Sequence, residues 1–299
     1  MKGVDKMLYG GIEAGGTKFV CGIGNEQLQV IERKSFPTTT PEETMKQVFD
    51  FFDKYKGNIA SIGVGAFGPI DIQIESRTYG YITNTPKVAW QNYHFVGALE
   101  NALSVPIYWT TDVNAACYGE YMAGYGKGKN SVLYYTVGTG VGGGAVVDGK
   151  IVTGFSHPEM GHMLLQRHNE DQFEGICPFH HDCLEGLASG PAIEKRFGRK
   201  AQTISFDHPY WAIEADYLAQ CVYNTTLLYA PEVIILGGGV MKQPQLLELI
   251  RQAFKEKMDS YVDTPTVEEY LLTPMLADDA GLIGCLALAI KKLGTIAAC

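Results

Sequence analysis

Two stretches of this chain share one grammar, and that grammar narrows what it can fold into. "LYGGIEAGGTKFVCGIG" (8–24) and "SVLYYTVGTGVGGGAVVDG" (131–149) each run apolar, pass through a Gly/Thr-rich turn, and run apolar again. The apolar segments are Met7–Ile12 and Phe19–Ile23 in the first, Ser131–Val137 and Ala145–Val147 in the second. Each reads as a β-hairpin whose turn holds more glycine than chain reversal requires. Residues ahead of Met7 read as a leader. Two further runs, "IASIGVGAFGPID" and "PEVIILGGGVM", end at Gly68-Pro69 and at Gly237–Gly239. A continuous apolar run suits a strand covered on both faces.

Helical patterns separate these strands. Pro41–Lys56 has Thr40 as N-cap, Pro41 at the first helical position, and apolar residues at Met45, Val48, Phe49 and Phe52. Asn114–Met122, Ala212–Tyr229, Gln245–Phe254 and Gly281–Lys292 follow the same period. Alternating strands and helices predict an α/β fold. The two similar halves predict two lobes around a cleft, an N-terminal lobe over 1–114 and a C-terminal lobe over 115–299.

Composition excludes several functions. A hydrophobic fraction of 46% with 19% charged residues is that of a globular protein. A net charge of −9 argues against a nucleic-acid surface, which needs a basic face. It does not exclude phosphate binding, which backbone N–H groups perform without net charge. No apolar run approaches the roughly 20 residues that span a bilayer, and no apolar segment of signal-peptide type follows the N-terminus. The expectation is a cytoplasmic protein without a membrane partner. The seven cysteines, an odd number, are then expected as reduced thiols.

Gly11, four residues and Gly16 nearly spell a P-loop, but Thr17-Lys18 stands in the reversed order. A P-loop also leads into a helix, whereas "FVCGIG" reads as a strand. A turn of Gly15, Gly16 and Thr17, with Lys18 beside it, can still wrap a phosphate through successive N–H groups. Thr136, Gly138, Thr139 and Gly140 offer the same chemistry in the other half, and Gly237, Gly238 and Gly239 add a third glycine-rich strand end. Either turn alone also reads as an ordinary reversal; the matched pair favours function.

Asp112 in "YWTTDVNAACYGE" follows the apolar strand Pro106–Trp109 and precedes a helix, the place where α/β sheets bind ligands. It can serve as a catalytic base or merely cap the helix. Asp71 in "GPID" competes, but Gly-Pro favours a turn role there. Five of the seven histidines lie between His157 and His181. "CPFHHDC" sets Cys177, His180 and Cys183 at three-residue intervals, a spacing suited to tetrahedral zinc, with His162 of "EMGH" as the fourth ligand. His157 and His168 rival His162, His181 rivals His180, and a solvated histidine-rich loop is the bland alternative. Such a closed site predicts structural zinc folding residues 157–185.

"GGIEAGGTK", "TDVNAA", "TVGTGVGGG", "EMGH" with its Cys/His cluster, and "LGGG" occur in this order over nearly the whole chain and resemble the ROK family of sugar kinases. "GIEAGGTKF", "GAFGPID" and "CLEGLASGPA" are nearest to its bacterial fructokinase branch. The resemblance implies a two-lobed, actin-like ATPase (ribonuclease H-like) fold with ATP and sugar in the interlobe cleft. It implies phosphorylation of a hexose, D-fructose to fructose 6-phosphate, with Asp112 as general base. The glycine turns and Gly190 would then hold ATP, and Glu159 and Glu185 the sugar hydroxyls. His162 and Asn84 join the expected sugar site, with Trp90 as a further pocket residue. Mg²⁺ is implied, with Glu13 where the family usually has Asp. Thr111 replaces an Asn or Glu, so a sugar contact at that position is not carried over. A homodimer is the family expectation. Glucose, mannose and N-acetylated hexosamines are alternative substrates. A sugar-responsive regulator is disfavoured because the first hairpin starts at residue 7, and an actin-like filament because of the zinc cluster.

Overall fold

The structure is a computed structural model, and its described residues are 7–291. The expected leader and Lys292 of the last expected helix lie outside them. The chain packs as two compact units: one formed by residues up to 127, 151–157 and from 278 onward, the other by 128–150 and 158–277.

The first unit opens with β1 (Leu8–Ala14), β2 (Lys18–Gly24) and β3 (Val30–Pro37), followed by α1 (Pro41–Asp53) and β4 (Ile59–Ala66). A small ribbon of β5 (Tyr81–Ile82) and β6 (Tyr93–His94) precedes α2 (Phe95–Leu103), β7 (Ile107–Thr111) and α3 (Asp112–Ala123). The main sheet has the order β3-β2-β1-β4-β7, antiparallel across β1, β2 and β3 and parallel from β1 through β4 to β7. Thr40 caps α1 by accepting from the Glu43 N–H, as its sequence predicts. An aromatic core forms where the sheet meets its helices: Phe19 lies 5.5 Å from Trp90, and Phe95 5.3 Å from Trp109. Trp90 is 1% exposed, so it packs the core rather than lining a pocket.

The second unit contains β8 (Ser131–Val137), β9 (Val141–Val147) and the edge strand β10 (Lys150–Ile151). Then come α4 (Leu184–Ala188), α5 (Gly190–Phe197), α6 (Tyr210–Tyr229), β11 (Val233–Gly237), α7 (Leu246–Met258), α8 (Val267–Tyr270) and β12 (Leu271–Leu272). Its sheet, β10-β9-β8-β11-β12, repeats the plan of the first: an antiparallel hairpin followed by parallel strands. The repeat read from the sequence is thus a repeat of topology. β11 is buried along its whole length, as its unbroken apolar run requires.

The final helix, α9 (Ala280–Lys291), returns to the first unit. It lies along α3 at backbone contact distance: a Cβ on Gly284 would sit 1.7 Å from the Ala115 carbonyl oxygen, and one on Gly119 2.2 Å from that of Ala280. This contact keeps α3 whole within the first unit. The units therefore divide at 127/128, with two returning segments, and not near residue 115 as expected from the sequence. None of the helices among the described residues is long and apolar enough to cross a membrane. Six cysteines there are buried and form no disulfide with one another.

Candidate active site

In the first unit, β1 and β7 flank β4, and Gly65 stands in register with Glu13 on one side and Thr110 on the other. The bare face of Gly65 admits Asp112, whose Cα would lie 3.2 Å from a Cβ placed there. Thr111 caps α3, accepting from the Asn114 N–H at 3.2 Å. Asp112 is thus the first helical residue and not the cap, and its Oδ1 accepts from the Val113 N–H at 2.8 Å. Glu13 packs against the start of α9, where a Cβ on Gly281 would fall 2.5 Å from its carboxyl carbon. Burial pushes the Glu13 carboxyl up to about 7; the Asp112 charge adds to this and Lys18 opposes it. Glu13 Oε2 is buried and meets no hydrogen-bond partner among the described residues.

The β1–β2 turn lies beyond Glu13. The Gly15 N–H closes it on the Lys18 carbonyl at 3.0 Å, and Thr38 braces it by donating its hydroxyl to the Gly15 carbonyl (2.7 Å) and its N–H to that of Thr17 (3.0 Å). Among the described residues, the N–H groups of Gly16 and Thr17 have no acceptor. Successive N–H groups left open in a turn can receive an anion. Asn84 lies exposed in the loop that carries Trp90, while Asp71 accepts from the Gln73 N–H and the Thr78 hydroxyl and so holds a local turn.

The second unit gathers the remaining glycine positions. The Gly138 N–H donates to the Gly140 carbonyl and the Gly190 N–H to the Gly138 carbonyl, both at 2.8 Å. Gly190 begins α5, whose cap is Ser189. Gly238 has φ +94°, and a Cβ there would lie 2.4 Å from the Val137 carbonyl oxygen, so only glycine lets β11 end against the β8–β9 turn. Thr136 pairs with Gly237 across the parallel ladder, Thr139 is exposed at the tip of the turn, and Gly239 follows Gly238. Glu185 joins this group: its Oε2 accepts from the Val141 N–H at 3.0 Å. Glu159 stands immediately before the 3₁₀ turn Met160–His162.

His162, Cys177, His180 and Cys183 bring one ligand atom each within 4.8 Å of one another. His162 Nδ1 lies 3.6 Å from Cys177 Sγ and 3.5 Å from Cys183 Sγ, and His180 Nδ1 lies 3.7 Å from Cys177 Sγ. A tetrahedron with ordinary Zn–S and Zn–N bonds has S···N edges of about 3.6 Å. The four residues therefore fit a zinc ion. The rivals lie outside this group of four: His157 Nε2 accepts from the Ile70 N–H, His168 Nδ1 accepts from the Glu170 N–H, and His181 (φ +55°) forms a backbone bridge with Cys177.

Two repeated α/β units, each with a glycine-rich hairpin turn, follow the plan of the two-lobed actin-like ATPase fold. The chain belongs to the ROK family, whose model matches residues 9–292. It is 46% identical over 288 residues to a fructokinase of Streptococcus mutans, covering 95% of this chain and 98% of that one. It is 48% identical over 273 residues to a fructokinase of Lactococcus lactis subsp. cremoris, covering 91% and 92%. Among solved structures, a ROK hexokinase from Thermus thermophilus is similar with a TM-score of 0.77 and 26% identity, over 96% of this chain and 99% of that one.

Proposed function

We propose that this protein is an ATP-dependent hexose kinase that phosphorylates D-fructose at its C6 hydroxyl. The observation that carries the reading is the placement of Glu13 near the end of β1 and Asp112 just past the end of β7, on either side of β4, beside a turn whose amides are open to an anion. The fructokinases at 46–48% identity support the choice of sugar.

The chemistry divides among named residues. Asp112 accepts the proton of the sugar hydroxyl as its oxygen bonds to the γ-phosphorus and the bond to ADP breaks. The carboxylate is held for this by its place at the first position of α3, where Thr111 relieves it of capping. The N–H groups of Gly16 and Thr17 meet the phosphoryl oxygens in the first unit. Gly138, Thr139, Gly140, Gly190 and Gly237–Gly239 form the nucleotide's glycine surface in the second, where backbone can approach phosphate closely. Glu159 and Glu185 accept hydrogen bonds from sugar hydroxyls, with Asn84 as a further sugar contact. Mg²⁺ neutralises charge on the phosphates when bound; the orphaned Oε2 of Glu13 beside Asp112 fits a water-mediated ligand for it. Zn²⁺ on His162, Cys177, His180 and Cys183 would act structurally, fixing the segment that carries Glu159 and Glu185.

A panel of fructose, glucose, mannose and N-acetylmannosamine, each with MgATP in a coupled ADP-release assay, tests the reading. Fructose is expected to show kcat/KM at least about ten-fold above the others, the discrimination a few pocket contacts supply. Faster turnover of another sugar would overturn the substrate, and no turnover of any hexose would overturn the kinase reading.

A further inference from the structure

The β1–β2 turn resembles a P-loop in its glycines but lacks that motif's lysine, which reaches the β- and γ-phosphates. Lys18, the nearest lysine in sequence, begins strand β2 and is exposed. A different lysine approaches the turn in space. Were Gly16 given a Cβ, that atom would lie 3.2 Å from Cε of Lys87. Lys87 is half-buried, and its ammonium forms no ion pair or hydrogen bond with another described residue.

The loop that carries Lys87 is fixed to the same support as the turn. The Lys87 N–H donates to the Thr85 hydroxyl at 3.4 Å, and its carbonyl accepts from the Trp90 N–H at 2.8 Å. The Trp90 indole is buried and donates to the Thr39 carbonyl at 2.8 Å. Thr38, the adjoining residue, braces Gly15 and Thr17. The Thr38–Thr39 pair thus anchors the turn and the lysine together. A solvated surface lysine would need neither the packing of its stem on a glycine nor an anchored loop. A cation held without a counter-charge beside open amides is preorganised for an anion.

We propose that Lys87 is a catalytic residue that contacts the transferred phosphoryl group. This rests on the kinase reading above. As the sugar oxygen bonds to the γ-phosphorus and the bond to ADP breaks, the hydroxyl proton goes to Asp112. Lys87 keeps its own protons and offsets the charge on the equatorial oxygens. A Cβ at position 16 would press on the lysine stem at 3.2 Å, so glycine gives the stem its freest approach to the turn.

The test compares Lys87→Met and Lys87→Arg with wild type in steady-state fructose phosphorylation. For Lys87→Met, kcat is expected to fall by about 10²–10³-fold, the loss typical of one preorganised charge-stabilising donor. KM for fructose should stay within about two-fold, because the interaction forms at the transition state. Lys87→Arg should retain at least about ten-fold more activity than Lys87→Met, since its charge is kept. Binding of MgADP alone should be unchanged in Lys87→Met, while MgADP with aluminium fluoride, a mimic of the transferred group, should bind more weakly. The proposal is overturned if Lys87→Met keeps kcat within about three-fold of wild type, if its loss lies wholly in KM, or if both ADP complexes weaken equally. An active wild type with an indifferent Lys87→Met refutes the lysine alone. A wild type that phosphorylates no hexose refutes the kinase reading and this step with it.

Discussion

Glu214 of α6 is fully buried, and its ionisation has a cost that can be read as stability. Its Oε2 accepts from the Tyr210 hydroxyl at 2.5 Å, and its Oε1 has no partner among the described residues. Arg196 sits between it and Asp171: one guanidinium nitrogen donates to Tyr210 Oη at 2.7 Å, another to Asp171 Oδ2 at 2.9 Å. One cation thus faces two acids, and the group is neutral when Glu214 keeps its proton. Burial pushes the Glu214 carboxyl up to about 8, from an ordinary 4.5. Because the folded value is raised, this stability is full below pH 4.5 and is lost as pH climbs through 8. At pH 6 the cost is roughly 2 kcal/mol, and at pH 9 it approaches roughly 5 kcal/mol. Glu214→Gln removes the titration and keeps the shape. Any fixed penalty for its buried amide is the same at both pH values. Equilibrium urea unfolding of both proteins should therefore show the variant gaining about 2–3 kcal/mol on wild type between pH 6 and pH 9. A difference that stays constant across that range would refute the assignment of a protonated Glu214.

Other outcomes follow from the same contacts. Chelation that strips zinc from the His162–Cys177–His180–Cys183 cluster should lower the melting temperature, and re-added Zn²⁺ should restore it; unchanged melting after verified removal would count against a structural ion. Trp90→Ala should destabilise the protein by about 3–5 kcal/mol, the usual cost of emptying an aromatic core site, with denaturant unfolding as the check. Glu13→Gln should raise the Mg²⁺ concentration needed for half-maximal activity; an unchanged requirement would remove Glu13 from the metal's surroundings.

The hairpins and the buried strand β11 were legible because their signal is local: an apolar run, then glycine, with nothing distant needed to interpret it. β3 was not, because its exposed, charged side chains break the apolar pattern on which strand reading depends. Helix α7 runs to Met258, four residues past its expected end; Ile250, Phe254 and Met258 keep one buried face while the lysines and glutamate between them mask it. The unit boundary was misplaced because α3 is held by α9, an element more than 150 residues away. Trp90 looked like a pocket aromatic beside Asn84, and only the packed structure shows it among Phe19, Phe67 and Phe95. Lys87 carried no sequence signal, since its relation to Gly16 is made by the Thr38–Thr39 anchor. The His/Cys cluster was half legible: its spacing named the candidates, but the sequence left His180 and His181 equivalent, and it is the fold that brings the His180 ring within reach of His162, Cys177 and Cys183.

The central claim is that Asp112 takes the proton of the sugar hydroxyl during transfer from ATP. The most direct measurement is kcat for fructose phosphorylation by Asp112→Asn, with melting followed in parallel. Thr111 retains the helix cap, so folding should be preserved. The expected result is a fall in kcat of about 10²–10⁴-fold, the range for a lost general base, with KM for fructose little changed. Near-normal turnover by a folded Asp112→Asn protein would contradict the account.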